Sequence, residues 1–153
     1  MYSIAVSIVK KLQDNGHEAV FAGGCVRDFL MELPVNDYDI ATSATPDQVE
    51  SLFDKTIPVG KSFGVIVVVI DNFQFEVATF RNDGNYSDGR RPDTVEFSSM
   101  KEDALRRDLT INGIFFNPIS GFFIDYVNGI KDIKRKNIQF IGNTEDRIKE
   151  DKL

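Results

Sequence analysis

The chain has 153 residues, with 18 Lys and Arg against 24 Asp and Glu, a formal net charge of −6. This length suits one domain with a sizeable core, and 42% hydrophobic residues with 13 Phe argue against disorder. The longest apolar run, Val65–Ile70, is too short for a membrane span, and the lone Cys25 excludes an internal disulfide and fits a reducing cytoplasm. Zinc chemistry lacks ligands, since His17 is the one histidine. An autonomous RNA-binding domain is usually basic. Here cations occur only locally, so either the phosphates bound are few or the main nucleic-acid surface lies elsewhere.

Residues 2–14 read as a helix, with Ile4, Ile8, Val9 and Leu12 in one stripe and Asn15-Gly16 stopping it. A strand over 18–22 runs into Gly23-Gly24, and a helix over 24–32 starts at once. Strand, glycine turn and helix N-terminus make an anion site, because glycine admits a phosphate to outward-pointing N–H groups. Arg27 adds a cationic fork one turn in. Leu33-Pro34 breaks the chain, and an extended segment over 36–42 carries Asp37 and Asp39 on one face. Two carboxylates roughly 6–7 Å apart along a strand can share Mg²⁺ with nucleotide phosphates. Each motif alone has a bland reading as a turn or as solvated charge. Together, within residues 23–39, they point to nucleotidyl transfer.

Thr45-Pro46-Asp47-Gln48 is a capped helix start. Strands are predicted over 63–70 and 73–80, joined by the hairpin signal Asp71-Asn72. The first is apolar on both faces and is expected to be central and covered. In the second, Glu76 interrupts an apolar run. It is either half of a structural ion pair or a third acid beside Asp37 and Asp39. Residues 82–94 form a long polar loop in which Arg90 and Arg91 meet phosphate or solvent. After a short strand at 95–97, Ser99 opens a helix over 101–109. There Glu102–Arg106 and Asp103–Arg107 read as surface i,i+4 pairs. Neighbouring helical residues diverge by about 100°, so at most one of Arg106 and Arg107 faces a given site. Further core is expected at 111–116 and 122–126, a basic helical turn at 129–135, and a last strand at 138–141. A final helix begins at Thr144 and runs to Leu153 without a stop signal, so the chain reads as cut mid-helix.

The ordered set of motifs resembles the bacterial-type (class II) tRNA nucleotidyltransferases, or CCA-adding enzymes, and their poly(A) polymerase relatives. It comprises Gly23 through Asp28, Asp37 through Thr42, Phe63-Gly64-Val65, Phe75 through Arg81, Tyr86 through Pro92, Arg106 through Asn112, and Asp125 through Gly129. The resemblance implies an α/β (α+β) fold, the polymerase-β-like nucleotidyltransferase head, with a small mixed sheet backed by helices. It implies Asp37 and Asp39 as metal ligands, Mg²⁺ as cofactor, and Glu76 as a third catalytic carboxylate. Gly23, Gly24, Arg27, Arg107, Asp108 and Asn112 fall at nucleotide-binding positions, and Arg107 becomes the inward arginine. Loop 82–94 corresponds to a mobile loop that takes part in switching between nucleotides. In the family a Glu-Asp-x-x-Arg motif reads the base. Here Glu150-Asp151-Lys152-Leu153 supplies four positions, and the arginine would be residue 154.

The expected organisation is a catalytic head over 1–142 and the start of a helical neck over 143–153. CTP and ATP are the expected substrates, with the tRNA 3′ end held mainly by domains beyond this chain. Poly(A) polymerase and CC- or A-adding enzymes remain alternatives, as does a non-catalytic nucleotide- or RNA-binding module.

Overall fold

The computed structural model describes residues 1–83 and 95–142, of Val95 the backbone only. Arg90, Arg91, most of the 82–94 loop, Asp151 and the expected neck helix lie outside the described residues. Helix α1 (Tyr2–Asp14) buries Ala5, Ile8, Val9 and Leu12; of the expected stripe Ile8, Val9 and Leu12 are buried, while Ile4 is half-buried. Each of the three larger side chains contributes about 2 kcal/mol of apolar burial. Strand β1 (Ala19–Ala22) leads through Gly23 into α2 (Gly24–Leu30), followed by β2 (Asp39–Thr42). Helix α3 (Pro46–Leu52) starts with the full capping box: Gln48 N–H donates to the Thr45 side chain and Thr45 N–H donates to the Gln48 side chain. Then come β3 (Thr56–Gly60), β4 (Val65–Ile70), β5 (Phe73–Thr79), β6 (Arg81–Asp83) and β7 (Val95–Phe97). The described chain ends with α4 (Met100–Leu105), β8 (Ile114–Asn117), β9 (Phe122–Asp125) and α5 (Gly129–Lys134).

Seven strands form one sheet in the order β3-β4-β5-β2-β1-β8-β9, and β6 pairs with β7 as a separate ribbon. Only β2 and β5 run parallel; every other pairing is antiparallel. One sheet face, with Phe21, Ile40, Ile66, Val68, Phe75, Val77 and Ile114, packs under α1 and α3 as the main core. On the other face α4 covers one end, where Met100 and Ala104 meet Val20, Ala22, Ala41, Phe80 and Phe115. Elsewhere on that face Val65, Val67 and Val69 are half-exposed and Gln74 and Glu76 are exposed. Among the described residues no helix is long and apolar enough to cross a membrane.

Several sequence expectations need correction. The strand expected over 63–70 starts at Val65, because Lys61–Phe63 make a 3-10 turn closed by Gly64 at φ 85°. It is not central and covered: it lies next to edge strand β3, with Ile66 and Val68 buried while Val65, Val67 and Val69 on the other face are half-exposed. Its all-apolar sequence therefore does not report two covered faces. Strand β3 is absent from the sequence expectations, since Thr56-Ile57-Pro58-Val59-Gly60 carries Pro and Gly, which edge strands tolerate. The α4 helix ends at Leu105, short of 109; the Asp108 carboxylate takes the Leu109 N–H at 2.6 Å, which competes with helix continuation. Residues 138–141 make one isolated bridge, Leu109 to Phe140, and no strand.

Candidate active site

Register builds the site. Strand β1 ends at Ala22 directly opposite Asp39 of β2, so the Gly23-Gly24 turn leaves the sheet beside that carboxylate. Gly23 has φ 72° and ψ −141°, a conformation that only glycine adopts readily. A Cβ at Gly23 would lie 3.5 Å from Arg107 Nη1 and 3.9 Å from Asp39 Oδ2. Glycine turn, carboxylate and guanidinium thus face one small space. On the other side of β2, the parallel pairing of Ile40 with Val77 sets Glu76 beside Asp39 on the open face. Asp37 precedes β2 and lines the same open depression of about 440 Å³ with Asp39, Glu76, Gln74 and Val67. Tyr38 packs against Phe21 at 5.3 Å between ring centroids, on the core side. Strand alternation accounts for the split.

Glu76 is exposed and makes no ion pair with a described residue. The sequence alternative of a buried structural pair is thereby corrected: β5 buries Phe75 and Val77 and turns Glu76 to the open face. Asp39 holds its proton more tightly than an ordinary aspartate. Loss of hydration between β1 and β5 is the main cause, Glu76 and then Asp37 add repulsion, and Arg107 partly offsets them. Like charges held together in this way favour a cation.

The cationic side is preassembled. Arg27 donates through Nε to Asp28 at 3.0 Å and through Nη1 to Asn112 Oδ1 at 2.9 Å. Asn112 in turn donates to Asp108 at 3.4 Å. A Cβ on Gly24 would sit 3.3 Å from Arg27 Nη2, so the second glycine keeps that guanidinium in place. Arg107 lies over the Phe115 ring, 5.5 Å from its centroid, and donates to Asp103 at 2.9 Å. Arg106 turns the other way, to Asp103 at 3.2 Å and towards Asp83 at 4.0 Å.

Asp103 itself is 1% exposed and also accepts the Arg81 backbone N–H at 3.0 Å. The expectation of two solvated i,i+4 pairs is corrected here: Arg106 pairs with Asp103 and not with Glu102, and the acid at the centre is buried. A signal was present in the sequence. Met100, Asp103, Ala104 and Arg107 share the i, i+3, i+4, i+7 stripe, which placed an acid and a base on the buried face.

Cys25 is buried, donates to the Ala22 carbonyl at 3.2 Å, and has its thiol pushed up to about 11, chiefly by burial. It is packing, not chemistry. Asp37 and Asp39 with their outward carboxylates suit a divalent cation. No cage of three or more metal-ligating side chains converges among the described residues.

Fold and site define a head domain of the polymerase-β-like class. The chain belongs to the poly A polymerase head domain family, which matches residues 19–139. It is 49% identical over 153 residues to the CCA-adding enzyme of Bacillus pumilus, covering 99% of this chain and 38% of that protein. To the CCA-adding enzyme of Staphylococcus saprophyticus it is 46% identical, again over 38% of the relative's length. In structure it matches the Bacillus stearothermophilus CCA-adding enzyme in complex with CTP. That match has TM-score 0.89 and 40% identity, over 99% of this chain and 36% of that one. A tRNA nucleotidyltransferase complexed with a primer tRNA and an incoming ATP analog matches with TM-score 0.68 and 29% identity, over 88% of this chain and 39% of that one. The chain thus spans about 38% of the length of its curated relatives.

Proposed function

We propose that this chain is the catalytic head of a CCA-adding enzyme, transferring nucleotides from CTP and ATP to the 3′-hydroxyl of tRNA. The observation that carries it is the convergence of the Gly23 turn, Asp39 and Arg107 on one space at the ends of β1 and β2. Similarity over nearly the whole chain to enzymes named for this activity supports the same reading. Asp37 and Asp39 hold Mg²⁺, which when bound supplies charge neutralisation on the phosphates. Gly23 and Gly24 let the polyphosphate reach the backbone, while Arg27 and Arg107 donate to its oxygens. Asn112 and Asp108 fix Arg27 in that pose, and Glu76 faces the incoming hydroxyl as the third carboxylate. Asp151 is assigned to reading the nucleobase by its place in the motif alone. A cytoplasmic location follows from the proposed tRNA substrate and the single thiol.

The second reading is poly(A) addition, favoured by the family's own description. To separate the two, the gene product read to its natural stop is incubated with tRNA lacking its 3′ end, Mg²⁺, and CTP or ATP singly and together. Growth by CC and then A is the expected result. A long A ladder establishes the second reading. A folded protein that binds CTP in an Asp37-dependent way yet transfers nothing is a binding module, and the catalytic reading falls.

A further inference from the structure

Asp37 and Asp39 are held in unlike ways. Asp39 opens β2, where it pairs with Ala22 and adjoins Ile40, itself paired with Val77. Asp37 lies before the strand, and residues 33–38 form neither helix nor strand. From Met31 to Asp39 every residue is exposed except Val35 and Tyr38. Those two side chains pack against the main core and so attach the segment to the fold.

Of the two, Tyr38 is next to the acid. Its ring sits 5.3 Å from that of Phe21 and, edge-on, 5.7 Å from that of Tyr2. Tyr2 in turn meets Phe21 edge-on at 6.0 Å. Helix α1, strand β1 and the acidic segment thus share one cluster of three rings, whose mutual orientation is fixed by ring geometry as well as by burial. Among the described residues the Tyr38 hydroxyl has no hydrogen-bond partner, so the ring does the holding. An inward ring at position 38 turns its neighbours outward, and Asp37 and Asp39 are both exposed. Beside the ring, Cys25, Val26, Phe29, Val35 and Phe116 help enclose an apolar cavity of about 120 Å³. Removing the ring enlarges a space that already exists and lets the segment slide into it.

Building on the metal role proposed above, we propose that Tyr38 is a positioning residue: its ring, seated between Phe21 and Tyr2, keeps the Asp37 carboxylate beside Asp39 for the cation. Asp39 needs no such peg, because sheet register places it. Loss of the ring therefore falls on the Asp37 ligand. The cationic side is spared, since Arg27 and Arg107 are held by Asp28, Asn112 and Asp103.

The test uses the full-length gene product with Tyr38→Ala, Tyr38→Phe and Tyr2→Ala. Val49→Ala is the control, opening the same core under α3. Two quantities are read: the Mg²⁺ concentration at which CTP produces half of its full rise in Tm, and kcat and KM for CTP at saturating Mg²⁺. Loss of support behind a metal ligand costs about 10- to 100-fold in metal affinity or activity, so Tyr38→Ala requires about tenfold more Mg²⁺ or worse. Its kcat falls while its CTP KM stays near the wild-type value. Tyr38→Phe keeps the ring and stays within about twofold of wild type. Tyr2→Ala removes one wall of the socket at an exposed helix start and requires about threefold more Mg²⁺; it carries the test if Tyr38→Ala does not fold. Asp37→Ala and the double variant Asp37→Ala/Tyr38→Ala require the same Mg²⁺, because both lose one ligand. Val49→Ala lowers Tm and leaves the Mg²⁺ requirement alone. A requirement unchanged in Tyr38→Ala and Tyr2→Ala, raised equally by Val49→Ala, or not rescued in Tyr38→Phe overturns this assignment alone. A wild type whose stabilisation by CTP does not depend on Mg²⁺ overturns the metal role and the assignment with it.

Discussion

Truncating Asp103 tests whether the arginine facing the glycine turn is held by a buried carboxylate or merely decorated by one. Asp103 is 1% exposed and accepts three donors, from the Arg81 backbone, Arg106 Nε and Arg107 Nη2. In Asp103→Ala, two guanidinium groups that are 19% and 17% exposed each lose one acceptor, and a backbone N–H loses its acceptor. Breaking a buried pair costs about 3–5 kcal/mol. Both arginines retain a route to water, so the lower end, about 3 kcal/mol, applies. For a domain of this size that corresponds to a fall in Tm of roughly 6–12 °C. Circular dichroism melts of the chain measure it, with Lys10→Ala as the control. The Lys10–Asp14 pair is 62% and 60% exposed, so its loss should cost well under about 1 kcal/mol. Because Asp103 also aims Arg107, CTP affinity should fall with stability, and Asp103→Asn should recover part of the Tm while recovering less of the affinity. A fall of under about 3 °C, or one equal to the control, would show the cluster to be solvated.

Two further outcomes follow from the site's geometry. Asp39 binds its proton more tightly when folded than the ordinary 3.8, so its ionised form disfavours the fold at neutral pH, and that penalty is relieved as pH falls through the raised folded value. Asp39→Asn should therefore raise Tm at pH 7 and lose this advantage as pH approaches 4, while abolishing Mg²⁺-dependent stabilisation and transfer; an unchanged pH profile of Tm in Asp39→Asn would refute the tighter proton binding of Asp39 in the fold. Gly23→Ala should cost about 1–2 kcal/mol through its left-handed φ and put a methyl 3.5 Å from Arg107 Nη1, so a CTP titration should show affinity falling by about tenfold or more, and unaltered CTP binding would move the phosphates elsewhere.

What the sequence disclosed, and what it withheld, divides along local and long-range physics. The α1 stripe, the α3 capping box, the Asp71-Asn72 hairpin and the Gly23-Gly24 turn are set by near neighbours, and all are present in the structure. Asp37 and Asp39 line one depression, although Asp37 lies before β2 and not on the strand. The status of β4 was not legible, since Val65–Ile70 has the same sequence whether one face is covered or two; only the position of β3 at the edge decides it. Glu76 was ambiguous for a related reason: its partner strand β2 is remote in sequence, and the parallel pairing sets the acid beside Asp39. Asp103 reads as surface because i,i+4 spacing matches a solvated pair, although its three-residue offset from Met100 places it on the Met100–Ala104 stripe. The choice between Arg106 and Arg107 rests on that stripe as well. Arg107 is one turn beyond Asp103 on the buried side, whereas Arg106 is rotated towards Asp83.

The two poles of the site also explain how an acidic chain can hold a nucleotide. Arg27 and Arg107 are fixed by Asn112, Asp28 and Asp103 before any ligand arrives, so their donors need little reordering. Asp39, by contrast, sits beside Glu76 and Asp37, whose repulsion Arg107 only partly offsets. A bare triphosphate would meet the arginines and be repelled by the carboxylates, and a bare cation would meet two carboxylates without a closed cage. Under the proposed function a metal–triphosphate complex satisfies both poles at once, with phosphates on the donor side and the cation over Asp37 and Asp39. The net charge of −6 is then no obstacle, since the charges that matter are arranged across a few ångströms and not summed over the surface.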